Sequence, residues 1–227
     1  MTFMNESFSP RVNKITKNPW VSSIQDAVMS ILPLILVGSL ITIVSLLNSV
    51  FSWLPDFSLI NTFTFGLLGL FVSFLIPYFI MEKKKLDNKK LIAGSTGLAL
   101  YLFLLSPVIL ENGQIQFMLD RFGATGMFLS LIVGLFVGFV LVQFSKFSFF
   151  SEDSSMPAFI VVWFDTLIPI TLIMLTGWLI GVQAKIDFFE VILAIFKPLS
   201  NIVQSYPGFV LSVFIPAFLY TFGISGW

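Results

Sequence analysis

Tyr220, Phe222, Gly223, Ser225, Gly226 and Trp227 crowd the last stretch of the chain, YTFGISGW. Glycines on both sides of Ser225 let a backbone leave a helix and come close to a ligand, while the rings offer flat apolar faces. A sugar makes that mixed demand: its C–H faces stack on aromatic rings and its hydroxyls need polar partners. Tyr220, Gly223, Ser225, Gly226 and Trp227 are therefore candidate substrate-binding residues. The same small residues also suit close packing of a neighbouring helix, and residue types alone leave both readings open.

Asp165 is the second candidate. It lies in SMPAFIVVWFDTLIPITLIML, nine residues beyond Met156, or about 13 Å along a helix at 1.5 Å per residue. An ionisable group at such a depth needs a partner or water. It could meet a substrate hydroxyl or a coupling proton, or it could bond across a helix interface near the end of a tilted helix. No basic residue within its own segment supplies a mate, which favours the structural reading.

Other chemistry is limited by what the chain lacks. It has no Cys and no His among 227 residues, so it can form no disulfide, thiolate metal site, imidazole catalyst or phosphohistidine. We expect no metal, no cofactor and no catalytic residue of its own. Twelve basic residues balance twelve acidic ones, which leaves no basic excess for a nucleic-acid partner. The P-loop, dinucleotide and metalloprotease-helix patterns are absent, and the Gly134–Gly138 GxxxG spacing reads as close helix packing.

The elements that would carry these residues are hydrophobic helices. With 57% apolar and 11% charged residues, 28 Phe and a mean hydropathy of +0.98, the chain cannot bury its apolar surface in a water-soluble core of this size. Uncharged stretches near the roughly 20 residues needed to cross a bilayer predict spans at 27–50, 62–81, 91–110, 122–143, 157–181 and 208–222, the last being short. Asp165 is the one charge inside them. Pro33, Pro77, Pro107, Pro169 and Pro216 fall within these spans and predict kinks.

Segment 186–204 differs. Phe188, Phe189, Ile192, Ile195, Phe196 and Leu199 recur at helical spacing with Asp187, Glu190 and Lys197 between them. This predicts an amphipathic helix on the membrane surface or on a partner.

Nine of the 12 basic residues fall on one side of these spans: Arg11, Lys14, Lys17, Lys83, Lys84, Lys85, Lys89, Lys90 and Lys146. Arg121, Lys185 and Lys197 fall on the other, so the N-terminus is expected in the cytoplasm. The run EKKKLDNKK at 82–90 reads as a solvated, topology-setting loop. Asp26 reads as an acid at a helix N-terminus. Trp20 and Trp53 bracket the first span as interfacial aromatics do.

Four stretches carry a family resemblance. NPWVSSIQDAVMSILPLILVGSL at 18–40 (with Asp26, Pro33, Gly38 and Ser39), FGATGMFLSLIVGLFVGFV at 122–140, SSMPAFIVVWFDTLIP at 154–169, and FKPLSNIVQSYPGFVLSVFIPAFLYTFGISGW at 196–227 resemble the lactose/cellobiose/chitobiose family of phosphotransferase-system sugar permeases, the IIC component. Ser225 stands where that family commonly has a sugar-contacting His, and Tyr220 where it has a Trp. Ile160, Val161 and Val162 replace a family Pro-Pro.

The resemblance implies an all-α integral membrane homodimer in a bacterial cytoplasmic membrane. Its expected parts are a cytoplasmic segment at 1–26, a five-helix scaffold and dimerisation region at 27–181, an amphipathic connecting helix at 182–207, and the start of a substrate-transport region at 208–227. It implies a disaccharide substrate, an elevator-like movement, and cytoplasmic IIB and IIA partners that supply the phosphoryl group. The uncharged run to Trp227, ending without a polar flank, predicts the front part of a longer permease. Two alternatives are a truncated, non-transporting scaffold in the lipid and an ion-coupled carrier working through Asp165.

Overall fold

A computed structural model describes residues 17–48, 51, 53, 55–148, 150 and 156–221. Helix α1 (Pro19–Asn48) is followed by a short α2 (Ser58–Phe63) and a tight turn at Phe65–Leu67 that leads into α3 (Leu68–Lys83). A second tight turn, Asp87–Lys89, opens α4 (Lys90–Leu104). Strands β1 (Val108–Ile109) and β2 (Ile115–Gln116) pair antiparallel, with Val108 opposite Gln116. Then come α5 (Gly126–Phe144), α6 (Ala158–Trp178), which runs into a π-turn at Leu179–Gln183, α7 (Phe188–Gln204) and α8 (Tyr206–Thr221).

Helix α3 is the axis of the bundle. Leu68, Val72, Ser73, Ile76, Pro77, Ile80 and Met81 on it are buried, and α1, α4 and α5 pack around it. Lipid is as apolar as a leucine, so helices in a membrane associate through close packing at small residues. A Cβ added at Gly134 would come within 2.7 Å of Ile76 Cβ, and one at Gly138 within 2.5 Å of Ile80 Cδ1. The GxxxG face of α5 is thus the seat for the branched residues of α3, as its spacing predicts. Pro77 is also held this way, with its ring against Gly97 of α4 and Gly134 of α5.

Large apolar side chains cover the outside. Leu36 and Leu46 of α1 are 63% and 68% exposed, a placement that a hydrocarbon solvent makes favourable.

Among the described residues, four helical stretches are long and apolar enough to cross a membrane: Pro19–Leu47, Ser58–Lys83, Gly126–Phe144 and Ala158–Gln183. Among the described residues one expected span, 91–110, falls short of that length, while the short span expected at 208–222 is met by α8 over Tyr206–Thr221. Helix α4 has 15 residues, about 22 Å. It stops at Leu104 instead of reaching residue 110 because Pro107 removes a backbone donor and disfavours helix before it; Ser106 sits at φ +56°. Pro107 therefore lies outside any helix and kinks none, and residues 108–116 turn back as the β1–β2 hairpin. Helix α8 has a described apolar stretch of Tyr206–Ile215. The span at 62–81 begins earlier than its hydrophobicity suggests and breaks at Thr64, whose backbone (φ −111°, ψ −85°) separates α2 from the turn before α3.

Candidate functional site

The aromatic and glycine cluster at the end of the chain is only partly in view. Tyr220 lies in the last turn of α8, and Gly223, Ser225, Gly226 and Trp227 lie outside the described residues. Upstream, Phe209, Val210, Leu211, Val213, Phe214 and Ile215 of α8 are all exposed, and the helix packs chiefly on α7. Gly208 sets that junction. A Cβ there would collide with the Ile202 carbonyl, and the Gly208 N–H donates to Ser205 Oγ at 3.2 Å.

Asp165 is placed on the inner face of α6 and is 6% exposed. Its carboxylate lies 4.0 Å from Lys89 Nζ and accepts a hydrogen bond from Ser148 Oγ at 3.2 Å. Lys89 is 7% exposed. Burial pulls its pKa below the usual lysine value, and the Asp165 charge opposes that shift. The mate missing from the segment of Asp165 comes from the loop before α4. Asp165 thus faces an opposite charge at one end of the bundle, an arrangement that neutralises a buried acid.

The run 82–90 is correspondingly more than a solvated loop. Lys83 reaches Asp26 at 2.6 Å, Lys84 stands 5.6 Å from the Trp20 ring, and Lys90 stands 5.2 Å from the Tyr78 ring with Asp87 at 3.4 Å. Asp26 is not a helix N-terminal acid, because α1 already begins at Pro19; it ties α1 to the end of α3. The Lys83–Asp26 pair is partly exposed and worth at most about 1 kcal/mol. It joins α1 to the end of α3, at the end of the molecule where Lys89 meets Asp165 of α6.

At the opposite end lies an ion cluster that sequence reasoning missed. Arg121, 6% exposed, donates to Asp187 Oδ1 at 3.0 Å and Oδ2 at 2.7 Å, and to the Leu105 carbonyl at 3.3 Å. Glu190 lies 3.5 Å away, and the Phe189 ring 4.8 Å below the guanidinium. The planar fork matches a carboxylate in two places, which lysine cannot do. Asp187 also caps α7, accepting from the Glu190 N–H. The signal was a lone arginine on the side with few basic residues, facing two acids three apart at a helix start.

Beyond that cap, α7 follows its spacing in part: Ile195, which the spacing groups with Phe189, Ile192 and Phe196, turns away from the bundle. Phe189 and Ile192 are buried and Phe196 stacks on Phe128 of α5 at 4.6 Å, while Ile195 and Ile202 are exposed. A cavity of about 130 Å³ lies beside it, lined by Leu104, Ile132, Phe136, Ile180 and Phe188 among others. It suits no sugar. Its one hydroxyl, on Thr176, already donates to the Leu172 carbonyl at 2.8 Å.

Helices wrapped around a glycine-seated central helix, apolar surface outside and charges gathered at the two ends define a multi-pass helical membrane protein. Comparison with known proteins makes this specific. Residues 25–227 match the family described as Phosphotransferase system, EIIC, and the chain belongs to that family.

The chain is 26% identical over 241 residues to the oligo-beta-mannoside-specific EIIC component of Bacillus subtilis (strain 168), covering 96% of this chain and 53% of that protein. It is 27% identical over 244 residues to the lactose-specific EIICB component of Lacticaseibacillus casei (98% and 41%). It is 25% identical over 252 residues to the cellobiose-specific EIIC component of Geobacillus stearothermophilus (98% and 55%). The fold is similar to that of the transporter ChbC, the IIC component from the N,N'-diacetylchitobiose-specific phosphotransferase system, with a TM-score of 0.77 at 21% identity, covering 99% of this chain and 57% of that one. The chain spans about half the length of the curated relatives it matches.

Proposed function

We propose that this chain forms the scaffold portion of a membrane permease component, IIC, that takes up a disaccharide-type sugar for phosphorylation by a cytoplasmic IIB partner fed by IIA. The observation that carries this reading is the family match across residues 25–227. The relatives named for oligo-beta-mannosides, lactose and cellobiose point to the substrate class.

In this reading the Lys83, Lys84 and Lys89 end of the bundle faces the cytoplasm, with the N-terminus, in keeping with the excess of basic residues there. Helices α1 to α6 form the body and carry a homodimer contact. Helix α7 is the connecting element, and α8 opens the region that binds sugar through Tyr220, Gly223, Ser225, Gly226 and Trp227. The absence of Cys and His from the chain agrees with a phosphoryl donor held by another protein. The Lys89–Asp165 pairing supports a structural part for Asp165 over a coupling one.

Inverted membrane vesicles from cells expressing the intact reading frame, supplied with the cytoplasmic phosphotransferase proteins and phosphoenolpyruvate, should phosphorylate cellobiose, lactose or a β-mannobiose. Absence of phosphorylation with every one of these sugars would overturn the reading.

A further inference from the structure

Every side chain lining the cavity beside α7 is apolar except that of Thr176, whose hydroxyl already donates to the Leu172 carbonyl. Water therefore finds no free partner there. The volume, about 130 Å³, is close to the roughly 150 Å³ of an apolar cavity that stays dry and takes up benzene or xenon. Leu100 and Leu104 of α4 are inner walls, 2% and 4% exposed, and Phe188 in the first turn of α7 is another. Left empty, such a space deprives its walls of dispersion partners.

The space is not sealed. Ile132 and Phe136 of α5 and Thr176 and Ile180 of α6 also line it and are only half-buried. The members of each pair are four residues apart, so each pair shares one helix face. The α5 face runs on to Phe139 and the α6 face to Leu172, and both of those side chains are exposed. Exposed apolar faces of this kind are what hydrocarbon covers in a membrane. The cavity is thus an inward branch of the lipid-facing surface between α5 and α6.

We propose that this cavity is a binding site for the end of a phospholipid acyl chain, which enters between α5 and α6 and comes to rest against Leu100, Leu104 and Phe188. In lipid the gain is not escape from water but contact, since the walls acquire the partner atoms that an empty space denies them. Phe188 belongs to α7, so the bound chain becomes part of the joint between α7 and the scaffold helices. The inference needs only hydrocarbon around the bundle and stands apart from the sugar reading.

The test reconstitutes the full-length protein in phosphatidylcholine vesicles that contain a small share of phosphatidylcholine with a photoactivatable diazirine at the end of one acyl chain. After irradiation, adducts are located by peptide mass spectrometry. Leu100 and Leu104 are the diagnostic positions, because lipid that merely surrounds the bundle cannot touch side chains so buried. Adducts should form at Leu100 or Leu104 as well as at exposed Leu36. Thr176→Phe fills the cavity from α6 and Ile132→Phe fills it from α5; each should cut the adducts at Leu100 and Leu104 by fivefold or more and leave those at Leu36 unchanged. Wild-type adducts at Leu36 with none at Leu100 or Leu104 would overturn the proposal, and that result includes the case in which a later part of the permease closes the mouth. Adducts at Leu100 and Leu104 that persist undiminished in both variants would overturn it as well.

Discussion

The Arg121 guanidinium grips the Asp187 carboxylate through two parallel hydrogen bonds, 3.0 and 2.7 Å long, across 66 residues of chain. It closes the loop after the hairpin onto the first turn of α7. Removing Arg121 costs the hydrogen bonds of the fork and leaves Asp187, which is partly exposed, to water. We expect Arg121→Ala to lower stability by about 1.5–3 kcal/mol, the range for lost hydrogen bonds to a charged group. Arg121→Lys should lose less, since it keeps the charge but not the fork. Thermal unfolding of the detergent-solubilised protein measures both, and equal stability of Arg121→Ala and wild type would contradict this account.

The Lys89–Asp165 pair yields a double-mutant cycle. Lys89→Met and Asp165→Leu each leave one buried charge, so each single change should destabilise the protein more than the two together. Additive losses would mean that the 4.0 Å separation carries no coupling.

Lys89 also carries a pH signature. Its pKa in the folded protein is below the unfolded value of 10.5 because burial penalises the charged form. Between those two values the unfolded chain binds more protons, so the stability of wild type rises with pH. The difference in Tm between wild type and Lys89→Met should therefore shift in favour of wild type as pH approaches 10.5. A constant or falling difference would show that the folded pKa is not depressed.

Helix packing at α3 and α5 is open to a direct steric test. Gly138→Leu drives a side chain into Ile80, where even a Cβ has only 2.5 Å, and should cost about 1–3 kcal/mol. Ile80→Ala on the same background should recover part of that loss by making room. Failure of the second change to help would place the strain elsewhere.

Sidedness can be read with single cysteines in this cysteine-free chain. Lys85→Cys should react with an impermeant maleimide in inverted vesicles and not in intact cells. The reverse pattern would turn the protein over in the membrane.

Sugar affinity should depend on the terminal ring. Trp227→Ala removes a stacking face worth about 1 kcal/mol, so KM for phosphorylation of the favoured disaccharide should rise several-fold with little change in kcat. An unchanged KM would remove Trp227 from the site.

Hydrophobic helices are legible without a structure because a bilayer demands continuous apolar length, a one-dimensional property. For that reason α5 and α6 stand close to where composition puts them, while α1 starts at Pro19, ahead of the expected residue 27, because the polar first turns carry no hydrophobic signal. The amphipathic spacing of α7 and the GxxxG face of α5 were legible for a related reason: helical periodicity is local. The ends of elements were less so. Helix α4 stops short at Pro107, and α2 breaks from α3 at Thr64, because backbone geometry at one or two residues overrides the hydrophobic run around them.

The candidate site divides along the same line. Asp165 stands out in sequence because a charge inside an apolar run is conspicuous, yet its mate Lys89 looked like one of five interchangeable lysines in a charged loop. Arg121 looked like a topology marker, and the walls of the cavity beside α7 carried no signal. Type, membrane class and family belong to order along the chain, since each follows from local composition or from residues in register. Which acid meets which base, and which helices enclose a cavity, was decided by tertiary structure alone: the packing of α3 against Gly134 and Gly138 brings together groups that are tens of residues apart, and no local pattern encodes that distance.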